Sequence, residues 1–389
     1  PVCAPSRYSI QFGKSPARMR MIRVGMDASH IPHDEWWSIA RVLRNIDSNY
    51  VAGHFGKWGM GSNPETLGFD QSDGPTRNAD GGFVNNVTQW ETTTREDPKK
   101  IRQVTQRAEA FLDSCAKEKR PFFLQVSHYA VHSSIESTDS SLVTMKSRQT
   151  GERHKHVGFA AMTRDLDQSL GQIMDKLEEL HLVNNTYLIY MSDNGGVPNI
   201  PGARKYAKSL NHPLQAGKWD ALEGGVRVPL IVSGPGVPSS SHASCHVWGA
   251  DLLPTIASLA GGKHHVPDSL DGVSFSDALF SGGAGVLERP QGGMAFHVPY
   301  RNKIALNRPH SAWISGNYKL LFFHDDGEVR LFDLSDDIGE QHNLAVEAPD
   351  VTEELTQELL GYLSAVHAPR WQEGITWKNA PFKSFDSVH

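Results

Sequence analysis

The chain has 389 residues, 39% of them hydrophobic and 21% charged, which supplies a sizeable core and excludes wholesale disorder. Lys and Arg number 38 against 44 Asp and Glu, a net charge of −6 with His neutral. That balance excludes a nucleic-acid-coating protein, because phosphate backbones demand a basic footprint. Apolar stretches such as 226–232 fall far short of the roughly 20 residues that span a bilayer. Cys3, Cys115 and Cys245 make no disulfide framework and match no zinc spacing. No signal peptide is visible, but Pro1 is not Met and the chain opens abruptly inside a motif, so missing upstream sequence is expected.

In chain order, the segment from Gly61 to Lys99 is polar and turn-rich and reads as a long surface excursion. Ile101, Val104, Ala108, Phe111, Leu112 and Cys115 share one helical face. A short buried-strand run, 122–126, follows Pro121. Phe159, Met162, Leu166, Leu170, Ile173, Leu177 and Leu180 recur at steps of three and four, an amphipathic helix. The run 186–192 is β-branched and aromatic and ends in Asp193-Asn194-Gly195-Gly196; 226–232 is a third apolar strand. Helix and strand alternating in this order imply an α/β domain, a mostly parallel sheet flanked by helices, over residues 1–290. Ligands of such sheets collect past the carboxyl ends of strands, where His128–His132 and Asp193–Asn194 fall.

After a Pro- and Gly-rich stretch, residues 291–389 read as a smaller α+β subdomain. Short strands are expected at 311–314, 318–323 and 329–334, with an Asp325-Asp326-Gly327 hairpin turn between the last two. Asp350 is expected to cap a final helix carrying Val351, Leu355, Leu359 and Leu363.

The first chemical constellation is Cys3-Ala4-Pro5-Ser6-Arg7. A lone Cys is most often a small buried hydrophobe, but the Pro, Ser and Arg spacing argues for chemistry. A thiolate phosphatase loop needs Arg six residues after its Cys, and Ser9 stands there. Lys57 lies in a Gly-Lys-Trp turn, and Lys218 in a Gly-Lys context upstream of Glu223-Gly224-Gly225. His297 reads equally as a structural or a ligand-side histidine.

The segment PVCAPSRYSIQFGK resembles the sulfatase signature, in which Cys-x-Pro-Ser-Arg precedes a Thr-Gly pair; here Phe12 stands for the Thr. GKWGMG (56–61), FFLQVSHYAVHSS (122–134), MSDNGG (191–196), NHPLQAGKWDALEGGVRVP (211–229) and LFDLSDDIGEQHNL (331–344) resemble further elements of that family, in the same order. The resemblance implies the alkaline-phosphatase-like fold and hydrolysis of sulfate monoesters, with carbohydrates as the expected substrates. It implies that Cys3 is converted by a modifying enzyme to formylglycine, whose hydrate is the nucleophile, with Arg7 steadying it. Lys57, Lys218 and His132 are then the catalytic and sulfate-binding residues, and His297 lies on the substrate side. Asp193, Asn194 and the modified Cys3 are the metal ligands. Oxygen donors of this kind suit Ca²⁺, with Mg²⁺ the alternative, rather than Zn²⁺. Relatives are exported to periplasm, lysosome or the outside.

Two departures bear on this expectation. The family's Asp-Asp pair belongs upstream of Pro1, and Gly59 stands where the family has a His, with His54 or His128 as candidate substitutes. A phosphate or phosphonate ester hydrolase of the same superfamily, and a non-catalytic glycan- or anion-binding descendant, are the competing readings.

Overall fold

The computed structural model describes residues 1–151, 154–198, 210–283, 287–302 and 308–373. Two compact units divide them: Pro1–Ile31 with Ile189–Leu259 and the segment from Val266 onward, and Pro32–Leu188 with Ala260–His265.

The first unit opens on helix α1 (Cys3–Phe12). Pro5 is tolerated there because first-turn N–H groups have no intrahelical acceptor. Gly13 at φ 62° ends the helix, its N–H donating to Ser9 O at 2.9 Å. The second unit holds strands β1 (Val51–Gly56) and β2 (Gln71–Ser72), helix α2 (Ile101–Glu118), strand β3 (Phe122–Ser127) and helix α3 (Val157–Glu179). The strands form a parallel sheet ordered β2-β1-β3, registered from Val51 opposite Phe122 to Gly56 opposite Ser127. Parallel pairing aligns the carboxyl ends of β1 and β3, so Lys57 and His128 leave the sheet at the same edge. The expected face of α2 is the buried one, and that of α3 is buried in part: Val104, Ala108, Phe111 and Leu112 meet Ile173, Leu177, Val51 and Phe55 in one cluster, whereas Phe159 at the start of α3 is exposed. At about 25 cal/mol per Å², such burial is the main force holding the unit together. The 61–99 excursion is largely exposed but not featureless, since Gln71–Ser72 adds a strand and Lys99 is buried.

The first unit resumes with β4 (Leu188–Met191), hydrogen-bonded to β5 (Leu230–Ser233). The strand expected at 226–232 begins later: Glu223–Val226 is a helical turn, and β5 opens just after Pro229, which has no N–H for a ladder. Strands β6 (Met294–Val298), β7 (His310–Ser315), β8 (Tyr318–Phe323) and β9 (Val329–Asp333) form an antiparallel sheet ordered β9-β8-β7-β6. Helix α4 (Pro349–Ala365) packs Leu355, Leu359 and Leu363 against Trp313, Leu320 and Leu331. Asp350 does not cap it. The helix begins one residue earlier at Pro349, whose fixed φ suits the first turn, and Asp350 complements the dipole from inside that turn. No described helix is long and apolar enough to cross a membrane.

Candidate functional site

In the first unit, Cys3 is the first residue of α1, buried at the positive end of the helix dipole. Arg7 lies one turn further on the same face. Its Nε donates to Asp193 Oδ2 at 3.0 Å, joining motifs 186 residues apart in sequence. Asp193 and Asn194 sit in the loop just past β4. Asn194 Nδ2 donates to Gly195 O at 2.8 Å, while its Oδ1 is buried with no hydrogen-bond partner. A buried acceptor left empty costs about 1–3 kcal/mol, so Oδ1 is shaped for something other than a protein donor.

The loop carrying Lys218 is knitted to both segments. Lys218 N donates to Gly196 O at 2.8 Å, and Trp219 N to Pro1 O at 3.0 Å. Gly195 N donates to Gly225 O at 3.0 Å. A Cβ on Gly195 would lie 1.9 Å from Gly224 O, so the approach of these two backbones requires glycine. Lys218 is buried, its ammonium 5.0 Å from the centroid of the Trp219 ring, a cation–π geometry. The structure therefore brings Cys3, Arg7, Asp193, Asn194 and Lys218 into one connected framework.

In the second unit, Lys57 follows β1 and is buried; its backbone N–H donates to Ser127 O at 2.7 Å. Gly59 has φ 72°, a conformation a side chain would strain. His132, past β3, places Nδ1 2.7 Å from Ser133 O and Nε2 3.4 Å from Asn78 Nδ2, with Phe83 edge-on to its ring. His54 is inside β1, held by Ser127 Oγ and between Trp58 and Phe69. His128 Nε2 lies 3.0 Å from Ser169 Oγ while Nδ1 is buried without a partner, and burial lowers its pKa to about 4.

His297 stands apart from these loops, in β6. Its Nδ1 is 2.6 Å from Ser311 Oγ and its Nε2 2.7 Å from Pro369 O; burial lowers its pKa to about 4. With both nitrogens engaged inside the fold, the substrate-side role that resemblance implies for His297 is not carried further. Asn78, beside His132, had no signal in the sequence, because it lies in the polar excursion among many residues like it.

Among the described residues no group of three His, Cys, Asp or Glu could hold a metal. The Asp193 carboxylate and the empty Asn194 Oδ1 nevertheless fit part of the oxygen shell of a hard cation, which takes 6–8 oxygens for Ca²⁺.

Loops of the first unit that gather a lysine, an arginine and a carboxylate around a helix N-terminus define an α/β protein built to handle anions. Comparison makes this specific. The sulfatase family model matches residues 1–262. A sulfatase of Formosa agariphila is 30% identical over 305 residues, 72% of this chain and 52% of that protein. Human arylsulfatase A is 27% identical over 417 residues, 92% of this chain and 77% of that protein. The crystal structure of Ps i-CgsB in complex with k-i-k-neocarrahexaose superposes with a TM-score of 0.74 at 23% identity, covering 95% of this chain and 84% of that one. The chain belongs to the sulfatase family. It spans about half the length of the Formosa relative.

Proposed function

We propose that this protein hydrolyses sulfate monoesters of carbohydrates, using Cys3 in its formylglycine form. The carrying observation is the Arg7–Asp193 pair at 3.0 Å, which ties the cysteine motif to the Asp-Asn loop. The bound oligosaccharide of Ps i-CgsB supports the carbohydrate class, as does family membership.

Sulfate-ester cleavage requires on the order of 20 kcal/mol off the barrier, by analogy with phosphate monoesters. No single donor supplies that, since one oxyanion contact contributes about 3–4 kcal/mol. Formylglycine at position 3 would supply an oxygen nucleophile, and a Ca²⁺ ion would polarise a sulfate oxygen; a modifying enzyme is thus a required partner. Asp193 and Asn194 would hold the ion through their side-chain oxygens. Arg7 fixes the Asp193 carboxylate and presents further N–H donors near the helix start. Lys218 and Lys57 neutralise charge on the sulfate oxygens as compact cations. His132, once doubly protonated, would deliver a proton to the departing alcohol from Nε2, its Nδ1–H being held by the Ser133 carbonyl. Export to periplasm, lysosome or the outside belongs to the same proposal.

The test has two parts. The Pro1–Arg7 peptide, from a host containing the modifying enzyme, is weighed by mass spectrometry; an unmodified thiol refutes the nucleophile. Sulfate and phosphate esters of one phenol are then compared; faster phosphate turnover would transfer the assignment to a phosphate or phosphonate hydrolase.

A further inference from the structure

The 331–344 motif was singled out in the sequence, yet none of its residues enters the chemistry proposed above. The structure connects it to the loop that does. Glu340 leaves β9's far end through a turn and is buried, as are Lys319 on β8 and Glu223 just beyond Lys218. Lys319 Nζ lies 2.8 Å from Glu223 Oε1 and 2.9 Å from Glu340 Oε1. Glu340 Oε2 accepts the backbone N–H of Glu223 at 2.8 Å. Arg227 Nη1, 3.1 Å from Glu223 Oε2, brings the charges to two positive and two negative.

Three more bonds run from this C-terminal region to the same loop. His310 on β7 accepts the Ala221 N–H at Nε2, 2.9 Å away, and its Nδ1 lies 2.8 Å from Arg308 O. Because a carbonyl can only accept, Nδ1 carries the proton and Nε2 the lone pair. Gln215 Nε2 donates to Gly339 O at 2.8 Å and also to Glu340 O. Residues on both sides of Lys218, from Gln215 to Glu223, are thus anchored to the antiparallel sheet. Lys218 and Trp219 themselves face the other way along the backbone, bonded to Gly196 O and Pro1 O.

We propose that Lys319, Glu340 and His310 are positioning residues for Lys218: together they set the loop's height above the antiparallel sheet, and so the reach of the Lys218 ammonium toward the substrate anion. A network of this kind carries geometric specificity beyond stability, since Lys319 pairs with both buried carboxylates and a slipped loop would leave a buried charge unmatched. The inference rests on the sulfatase reading for its kinetic readout but not for its structural one.

The test is a double-mutant cycle with hydrogen exchange. Lys319→Met is expected to speed amide exchange in the 215–223 segment by ~10-fold or more, and to lower kcat/KM for a sulfate ester by a similar factor. In a Lys218→Ala background, Lys319→Met should change the residual kcat/KM less than about twofold, because a residue that acts through Lys218 has nothing left to act on. Equal losses in both backgrounds, or unchanged exchange, overturn the proposal and leave the network a purely structural one. Gln215→Ala removes two tethers without stranding a buried charge. It guards against a misfolded Lys319→Met, and the same cycle pattern is expected at about threefold. A wild-type protein without sulfate-ester turnover refutes the function proposed earlier, whereas the exchange measurement still decides the tether.

Discussion

The first unit buries charge in two regions, and they do so differently. In the antiparallel sheet the buried charges and histidines are paired within the fold. Lys319 sits between two carboxylates, and His297 and His310 each engage both ring nitrogens. Around the start of α1 and the end of β4 the account stays open. Asn194 Oδ1 is buried and unmatched, and Lys218 meets an aromatic face. A closed network serves stability and specificity of fold; an open one retains binding capacity that only a ligand can use.

That contrast can be attacked first where the effect is largest. Cys3→Ala should remove at least about 10³-fold of sulfate-ester turnover while leaving the thermal midpoint nearly unchanged, because the nucleophile goes and only a small buried side chain changes. A variant with near-wild-type kcat would place the chemistry elsewhere. Lys218→Ala should cost roughly 10²–10³ in kcat, the loss typical of one oxyanion contact. A rise confined to KM would instead assign Lys218 to ground-state binding.

The closed region should fail by acid. Burial lowers His297 and His310 from 6.5 to about 4, and His324 well below its ordinary value. The unfolded chain therefore binds protons that the folded chain refuses. Stability is complete above about pH 6.5 and falls as pH drops toward 4, by on the order of 3 kcal/mol per histidine at most. Thermal melts from pH 7 to 4 should show this fall, and His297→Gln should flatten it by about one proton; an identical slope would remove His297 from the account.

Calcium titration of the open region should show a smaller effect. Ca²⁺ at 100 times its dissociation constant should stabilise the wild type by about 2.7 kcal/mol. Asn194→Ala should blunt that gain while leaving the metal-free protein as stable or slightly more so, because an unmatched acceptor is removed. A full calcium response in the variant would show that Asn194 is no ligand. Smallest of all, Gly59→Ala should cost about 1 kcal/mol in denaturant unfolding, the strain of a side chain at φ 72°. A neutral result would leave the departure from the family's His unexplained by backbone conformation.

Much was legible along the chain. The helical faces of 101–118 and, in part, 157–179 follow from a period near 3.6, the strands at 122–127 and 318–323 from short apolar and aromatic runs, and the hairpin from its Asp-Asp-Gly turn. The one-turn spacing of Cys3 and Arg7 and the position of Asp193–Asn194 past a strand are equally local facts. The boundaries that differ are set by single prolines: Pro229 delays β5 and Pro349 opens α4 ahead of Asp350.

What the sequence by itself determined is the order of elements and the chemical kinds of side chain delivered to strand ends, because both depend on patterns within about ten residues. Tertiary structure alone decided the partners. Arg7 finds Asp193 across 186 positions, Lys319 finds Glu223 across 96, and His297 meets Pro369 O across 72. The pairing of charges so far apart is set by where packing brings the backbones together, and no local pattern records that distance.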